Sequence, residues 1–335
     1  MVSVLDVARH AGVSPATVSR VVGGRVRVAT KTRERVLNAV QLLGYRPNIV
    51  ARSLRSGRGR AVALVTGDIE QGIYARLAKR LQSELEAIGL DLLLFNVGHR
   101  EDRLHHLLAE ATLLGLRGIL LALPHVMDMH ELTPLIQAAS VNGVDVLSLS
   151  QDLTDFGVRS IVHDDAGGAA AAAEHLICLG RSPIAFVGRV ETSAVGRARY
   201  DGYRDALRAH GLNLEPSLVW NISEGYRADA GYQAVTLALA EGSRFGAVLA
   251  ASDELALGGM AAAVDRGLRV PEDIAFVGFG GLAWGAFSRP SMTTVTLDVE
   301  AAARAVGNFF HIGFDEHATV ERQTIPTKLV IRQSA

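Results

Sequence analysis

The chain has 335 residues, a formal net charge of −1 and one cysteine, which allows two or three domains and excludes an internal disulfide. No apolar run reaches the roughly 18 residues of a membrane helix, and the N-terminus lacks the charged-then-apolar pattern of a secretory signal. A globular, cytoplasmic protein without membrane contact is expected. The near-neutral total hides a division. Residues 1–60 carry twelve Lys or Arg against only Asp6 and Glu34, a charge of +10, and the remainder is −11. A compact basic segment before an acidic body suits a polyanionic partner, because each cation placed on a phosphate releases condensed counterions.

In chain order, Val4, Val7, Ala8 and Ala11 recur at helical spacing. Gly12 breaks the helix, and Ser14 followed by Pro15 supplies an N-cap and a first helical residue that needs no amide. The second helix runs through Ala16, Thr17, Ser19 and Arg20, with Val18, Val21 and Val22 inward. Two short helices around a glycine turn form a helix-turn-helix, whose second helix reads the major groove from its N-terminal residues. Arg20 suits a bidentate contact to guanine, and Pro15 and Ala16 suit a thymine methyl. A third helix is expected from Thr30 to Leu43, with Thr32, Val36, Leu37, Val40 and Leu43 on one face and Gly44 as its stop. Tyr45 to Gly57 reads as a short helix started by Pro47, too brief to persist without packing.

From residue 61 the pattern alternates apolar runs with amphipathic stretches. Residues 61–66, 91–97, 118–123 and 145–150 read as buried strands. A second series follows at 160–162, 183–188, 246–251 and 273–279. Strand–helix alternation implies parallel sheets covered on both faces, here in two Rossmann-like lobes. Ligands in such sheets bind beyond the carboxyl ends of the strands, which places a cleft between the lobes. Cys178, on an amphipathic helix, reads as a buried free thiol.

The helix-turn-helix, the segment YRPNIVARSLRSG (residues 45–57), RGLRVPEDIAFVGFGG (266–281) and PSMTTV (290–295) together resemble the LacI/GalR family of bacterial transcriptional repressors, in order and spacing along the whole chain. The resemblance implies an all-α helix-turn-helix headpiece plus an α/β core of two Rossmann-like, periplasmic-binding-protein-like lobes. The headpiece would be residues 1–46 and the hinge helix and linker 47–59. The N-terminal lobe would comprise 60–158 and 291–318, and the C-terminal lobe 159–290 and 319–335. DNA contacts would come from Ser14, Pro15, Ala16, Thr17, Ser19, Arg20, Arg27, Tyr45, Asn48, Ala51, Arg52, Leu54 and Arg55. Leu54 stands where the family levers an apolar wedge into a base step.

The same resemblance implies an effector site of Gln71, Ile73, Tyr74, Ala122 and Ser150 from the first lobe. The second lobe would add His163, Ser193, Arg197, Arg199, Tyr226, Ser252, Asp253, Gly280 and Trp284. At Gly280 sugar-binding members have an aspartate. That loss, with Arg199 retained and His163 nearby, points to a small anionic effector such as a sugar acid, ahead of a neutral sugar. The partners expected are therefore double-stranded operator DNA, a small-molecule effector and a second copy of the chain. No leucine heptad follows the last strand, which favours a dimer over a coiled-coil tetramer.

Other signals are weaker. Gly278, Gly280 and Gly281 form only half of a dinucleotide fingerprint, with no helix opening after them. His125, Asp128 and His130 lack a metal-ligand spacing and read as solvated loop residues. No nucleophile elbow, phosphate loop or zinc-protease helix is present, so neither an enzyme nor a cofactor is expected. The competing reading is a two-lobe solute-binding protein without a regulatory role, which would have a signal peptide and no basic headpiece.

Overall fold

The computed structural model describes residues 2–23, 28–45, 59–98, 100–223, 225–312 and 320–335. The chain forms two compact units, Met1–Gly59 and Arg60–Ala335.

The first unit is helical. α1 (Val4–Ala11) opens with a capping box in which Ser3 and Asp6 satisfy each other's backbone amides, and it closes on Gly12 at φ 62°. Only glycine takes that left-handed angle without strain. α2 (Pro15–Gly23) follows at once, and α3 (Thr30–Leu42) is the third helix among the described residues of the unit. Val7, Val18 and Val36, one from each helix, are fully buried, each contributing about 1.5–3 kcal/mol. Leu37, expected on the apolar face of α3, is 45% exposed. The expected hinge, with Asn48, Ala51, Arg52, Leu54 and Arg55, and also Arg27, lies outside the described residues.

The second unit contains two six-stranded sheets. β1 (Ala61–Thr66), β2 (Asp91–Asn96), β3 (Leu116–Ala122), β4 (Asp145–Ser148) and β5 (Arg159–His163) join β11 (Arg322–Ile325) in the order β11-β5-β4-β3-β1-β2, all parallel. β6 (Ile184–Gly188), β7 (Val219–Asn221), β8 (Ala247–Ala250), β9 (Ala275–Gly280) and β10 (Thr293–Leu297) join β12 (Thr327–Val330) in the order β12-β10-β9-β8-β6-β7. β12 is antiparallel to β10 and makes this sheet mixed. The intervening helices are α4 (Gly72–Ala87), α5 (Glu101–Glu110), α6 (Met129–Val141), α7 (Asp165–Cys178), α8 (Ala194–Ala209), α9 (Ala228–Ala240), α10 (Asp253–Asp265) and α11 (Val299–Ile312).

The expected lobe boundaries are displaced. Residues 159–163 and 322–325 belong to the first sheet, and 293–297 to the second. The chain therefore crosses at Asp164, Asp298 and Pro326, after β5, β10 and β11 rather than before them. A short apolar strand reads the same in either sheet, so composition could not tell which lobe holds it.

Two further expectations fail. β2 is an edge strand whose Leu93 and Leu94 are 41% and 46% exposed, so it is not buried on both faces. Cys178 is exposed at the end of α7. Among the described residues no helix is long and apolar enough to cross a membrane.

Candidate functional site

On the headpiece, Ser14 caps α2 by accepting from the Thr17 amide at 3.2 Å, and its hydroxyl lies 2.9 Å from that of Thr17. Pro15, Ala16, Ser19 and Arg20 are exposed, whereas Val18 and Val21 face the core. Tyr45 packs against the helical core. α2 thus exposes Pro15, Ala16, Ser19 and Arg20, which the sequence reading expects at the groove. Arg35 is not free to seek phosphate, since its guanidinium donates to the carbonyls of Ala11 and Gly12 in the turn.

Within the larger unit a cleft lies where strands of both sheets end. The space between its walls, open mouth included, is about 860 Å³. Ten of the fourteen expected effector residues line it: Gln71, Ile73, Tyr74, Ala122, Ser150, His163, Arg199, Tyr226, Ser252 and Gly280. Four do not. Ser193 caps α8, accepting from the Gly196 amide and donating to the Pro124 carbonyl. Arg197 points out to solvent. Asp253 is fully buried, accepting from the Leu282 amide at 2.6 Å and from the Thr294 hydroxyl, so it anchors the loop after β9. Trp284 is half-buried against the core and lies outside the lining. His125, expected in solvent, is buried and forms an antiparallel bridge to Ser193.

The charges in the cleft differ from expectation. Arg199 is buried and donates through Nε to Asp165 Oδ1 at 2.7 Å. It also donates to the Ala251 carbonyl and lies over the Phe279 ring, 3.9 Å from the centroid. Asp165, at the start of α7, lines the same cleft and was missed in the sequence, where it is the second acid of His163-Asp164-Asp165. Arg199 is therefore a compensated cation. Glu254, also missed, lines the cleft from α10, and burial pushes its carboxyl up from the ordinary value. His163 is held below the ordinary imidazole value by burial, and is therefore neutral at pH 7. Burial raises the Tyr226 and Tyr74 phenols as well, keeping both protonated.

Two buried polar atoms of lining residues, His163 Nε2 and Ser150 Oγ, have no hydrogen-bond partner in the protein. Buried polar groups are rarely left unsatisfied, so such atoms mark where a ligand's polar groups belong. Gly280 sits at φ 134°. A Cβ there would lie 3.5 Å from Asp253 Oδ2. Backbone angle and a neighbouring carboxylate both oppose aspartate at this position, so its loss is more than a change in ligand charge.

Residues 3–48 match the model of bacterial regulatory proteins of the lacI family, and residues 173–335 match the periplasmic binding protein-like domain. Catabolite control protein A of Priestia megaterium is 32% identical, with 99% of each chain covered. The chain belongs to the LacI/GalR family. As a LacI/GalR-family protein it is a DNA-binding transcriptional regulator with an effector-binding core, and not an enzyme. Two solved structures of the family cover nearly the whole chain. A complex of the transcriptional regulator CelR with cellobiose is 30% identical over 100% of both chains, with a TM-score of 0.71. The lac repressor dimer bound to operator and the anti-inducer ONPF is 27% identical over 99% of this chain and 98% of that one, with a TM-score of 0.85.

Proposed function

We propose that the protein binds a pseudo-palindromic operator as a homodimer and that an uncharged, polyhydroxylated effector in the interlobe cleft shifts its operator affinity. The observation that carries the effector class is the pairing of Arg199 with Asp165. A sugar acid was expected from the missing carboxylate at Gly280 with Arg199 retained and His163 nearby; the Asp165 pairing of Arg199 and a neutral His163 weigh toward an uncharged ligand instead. The lining offers a ligand the unpartnered His163 Nε2 and Ser150 Oγ, the side chains of Gln71 and Glu254, and apolar walls of Ile73, Val195 and Phe279. Such a lining suits a molecule with hydroxyls on one edge and C–H on its faces. Cellobiose in the related CelR complex has that character.

Exposed Leu93 and Leu94 on the unpaired edge of β2 support the homodimer, since apolar groups on a sheet edge are normally covered. The effector needs only different affinities for two lobe arrangements to change DNA binding. Calorimetric titration of the full chain with matched neutral sugars and their aldonic acids tests the effector class. Tight binding of a neutral sugar is expected, and binding confined to an acid would overturn it.

A further inference from the structure

α4 opens at Gly72 with Gln71 as its N-cap, but no side chain of its own caps it and its first turn holds no acid. The first amides of a helix have no partner within it and attract a carboxylate. Here the partner comes from the other lobe: the Gly72 amide donates to Glu254 Oε1 at 3.1 Å. Glu254 belongs to α10, behind the second sheet, whereas α4 follows β1 of the first. A Cβ at residue 72 would lie 3.2 Å from both terminal methyls of Leu282, so a larger residue there would oblige Leu282 to shift.

Two neighbouring contacts tie the same end of α4 to the second lobe. Glu70 Oε2 accepts from Arg227 Nη1 at 2.9 Å. Arg76 donates to the Gly281 carbonyl at 3.0 Å and the Leu297 carbonyl at 3.1 Å. The Glu70–Arg227 pair is exposed, whereas the Arg76 and Glu254 contacts are part-buried, and Glu254 lies on the cleft wall. The helix that Glu254 caps also carries Ile73, Tyr74 and Leu77 on the cleft wall.

We propose that Glu254 is a positioning residue that holds the α4 end of the cleft closed, by capping α4 of one lobe from α10 of the other, alongside the His125–Ser193 bridge that joins the lobes elsewhere. Opening the cleft uncaps α4, and a ligand that engages Glu254 acts directly on the closed population. The proposal rests on the lobe geometry and not on the effector class.

The test uses ligand-free full chain. Exposed Cys178, on α7 of the second lobe, is paired with Lys79→Cys on the exposed side of α4. Both are spin-labelled, and the labelled chain is diluted into an excess of unlabelled chain to suppress distances between protomers. With Glu254 intact a single narrow distance distribution is expected. Glu254→Ala adds a longer component, and Glu254→Gln, whose amide oxygen still accepts from Gly72, restores the narrow one. If Glu254→Ala loses helical signal, Glu254→Asp is read in its place. Its carboxylate keeps the charge but falls short of the Gly72 amide, and a longer component is again expected. Distributions in Glu254→Ala and Glu254→Asp that match the parent would overturn the proposal.

Discussion

Arg199 Nε lies 2.7 Å from Asp165 Oδ1, and both side chains are about nine-tenths buried, at 10% and 9% exposure. A pair this enclosed is costly to break from one side, because the remaining charge is left desolvated. Arg199→Ala should therefore destabilise the core by about 3–5 kcal/mol. The double substitution Arg199→Met with Asp165→Asn should cost clearly less than the two single changes added together. Denaturant unfolding of the four proteins measures the coupling. Strict additivity would mean that the ion pair is not a unit.

His163 gives the core a pH dependence of defined sign. Burial lowers its folded-state pKa below the unfolded value of 6.5. The unfolded chain then binds the extra proton first as pH falls, so this contribution is intact above pH 6.5 and is lost as pH drops below it. His163→Gln should flatten the fall in thermal midpoint between pH 7 and pH 5. An unchanged slope in the variant would show that other groups carry it.

Gly280→Asp restores the carboxylate usual in sugar-binding relatives but meets a positive φ of 134° and Asp253 Oδ2 close by. Strain of this kind costs on the order of 1–3 kcal/mol. The substitution should lower core stability by that amount and should not improve sugar binding. A stable variant with tighter binding would show that the loop relaxes freely.

Arg20 is exposed in the last turn of α2, the helix expected to read the groove. Arg20→Ala should relax preference at one base position by roughly 1–3 kcal/mol. The salt slope should change little, because phosphate contacts set it. Selection of duplexes from a random library with parent and variant reads this directly. Equal weakening on every sequence would make Arg20 a phosphate contact.

The fold class was legible in the sequence because each element carries its own local signal: Ser14-Pro15 starts α2, Gly12 ends α1, and apolar runs mark β1, β3 and β9. The lobe crossings were not, since Asp164, Asp298 and Pro326 follow strands that would suit either sheet. In the cleft, Tyr74, His163, Arg199 and Tyr226 were found by resemblance. What resemblance could not supply was pairing. Nothing local tells that Asp165 faces Arg199 from 34 residues away, or that Asp253 is consumed by Leu282 and Thr294 while its neighbour Glu254 turns into the cleft. Those are long-range facts, and they leave Arg199 a paired cation.

An uncharged effector in the cleft is expected to transmit its binding to DNA. The most direct measurement is fluorescence-anisotropy titration of a selected operator duplex with the full chain, in parallel series of neutral sugars and of their acids. At least one neutral sugar should shift operator affinity, the corresponding acid should not, and the shift should be lost when both His163 and Ser150 are replaced by alanine. A shift produced by the acids alone, or one that survives both replacements, would contradict it.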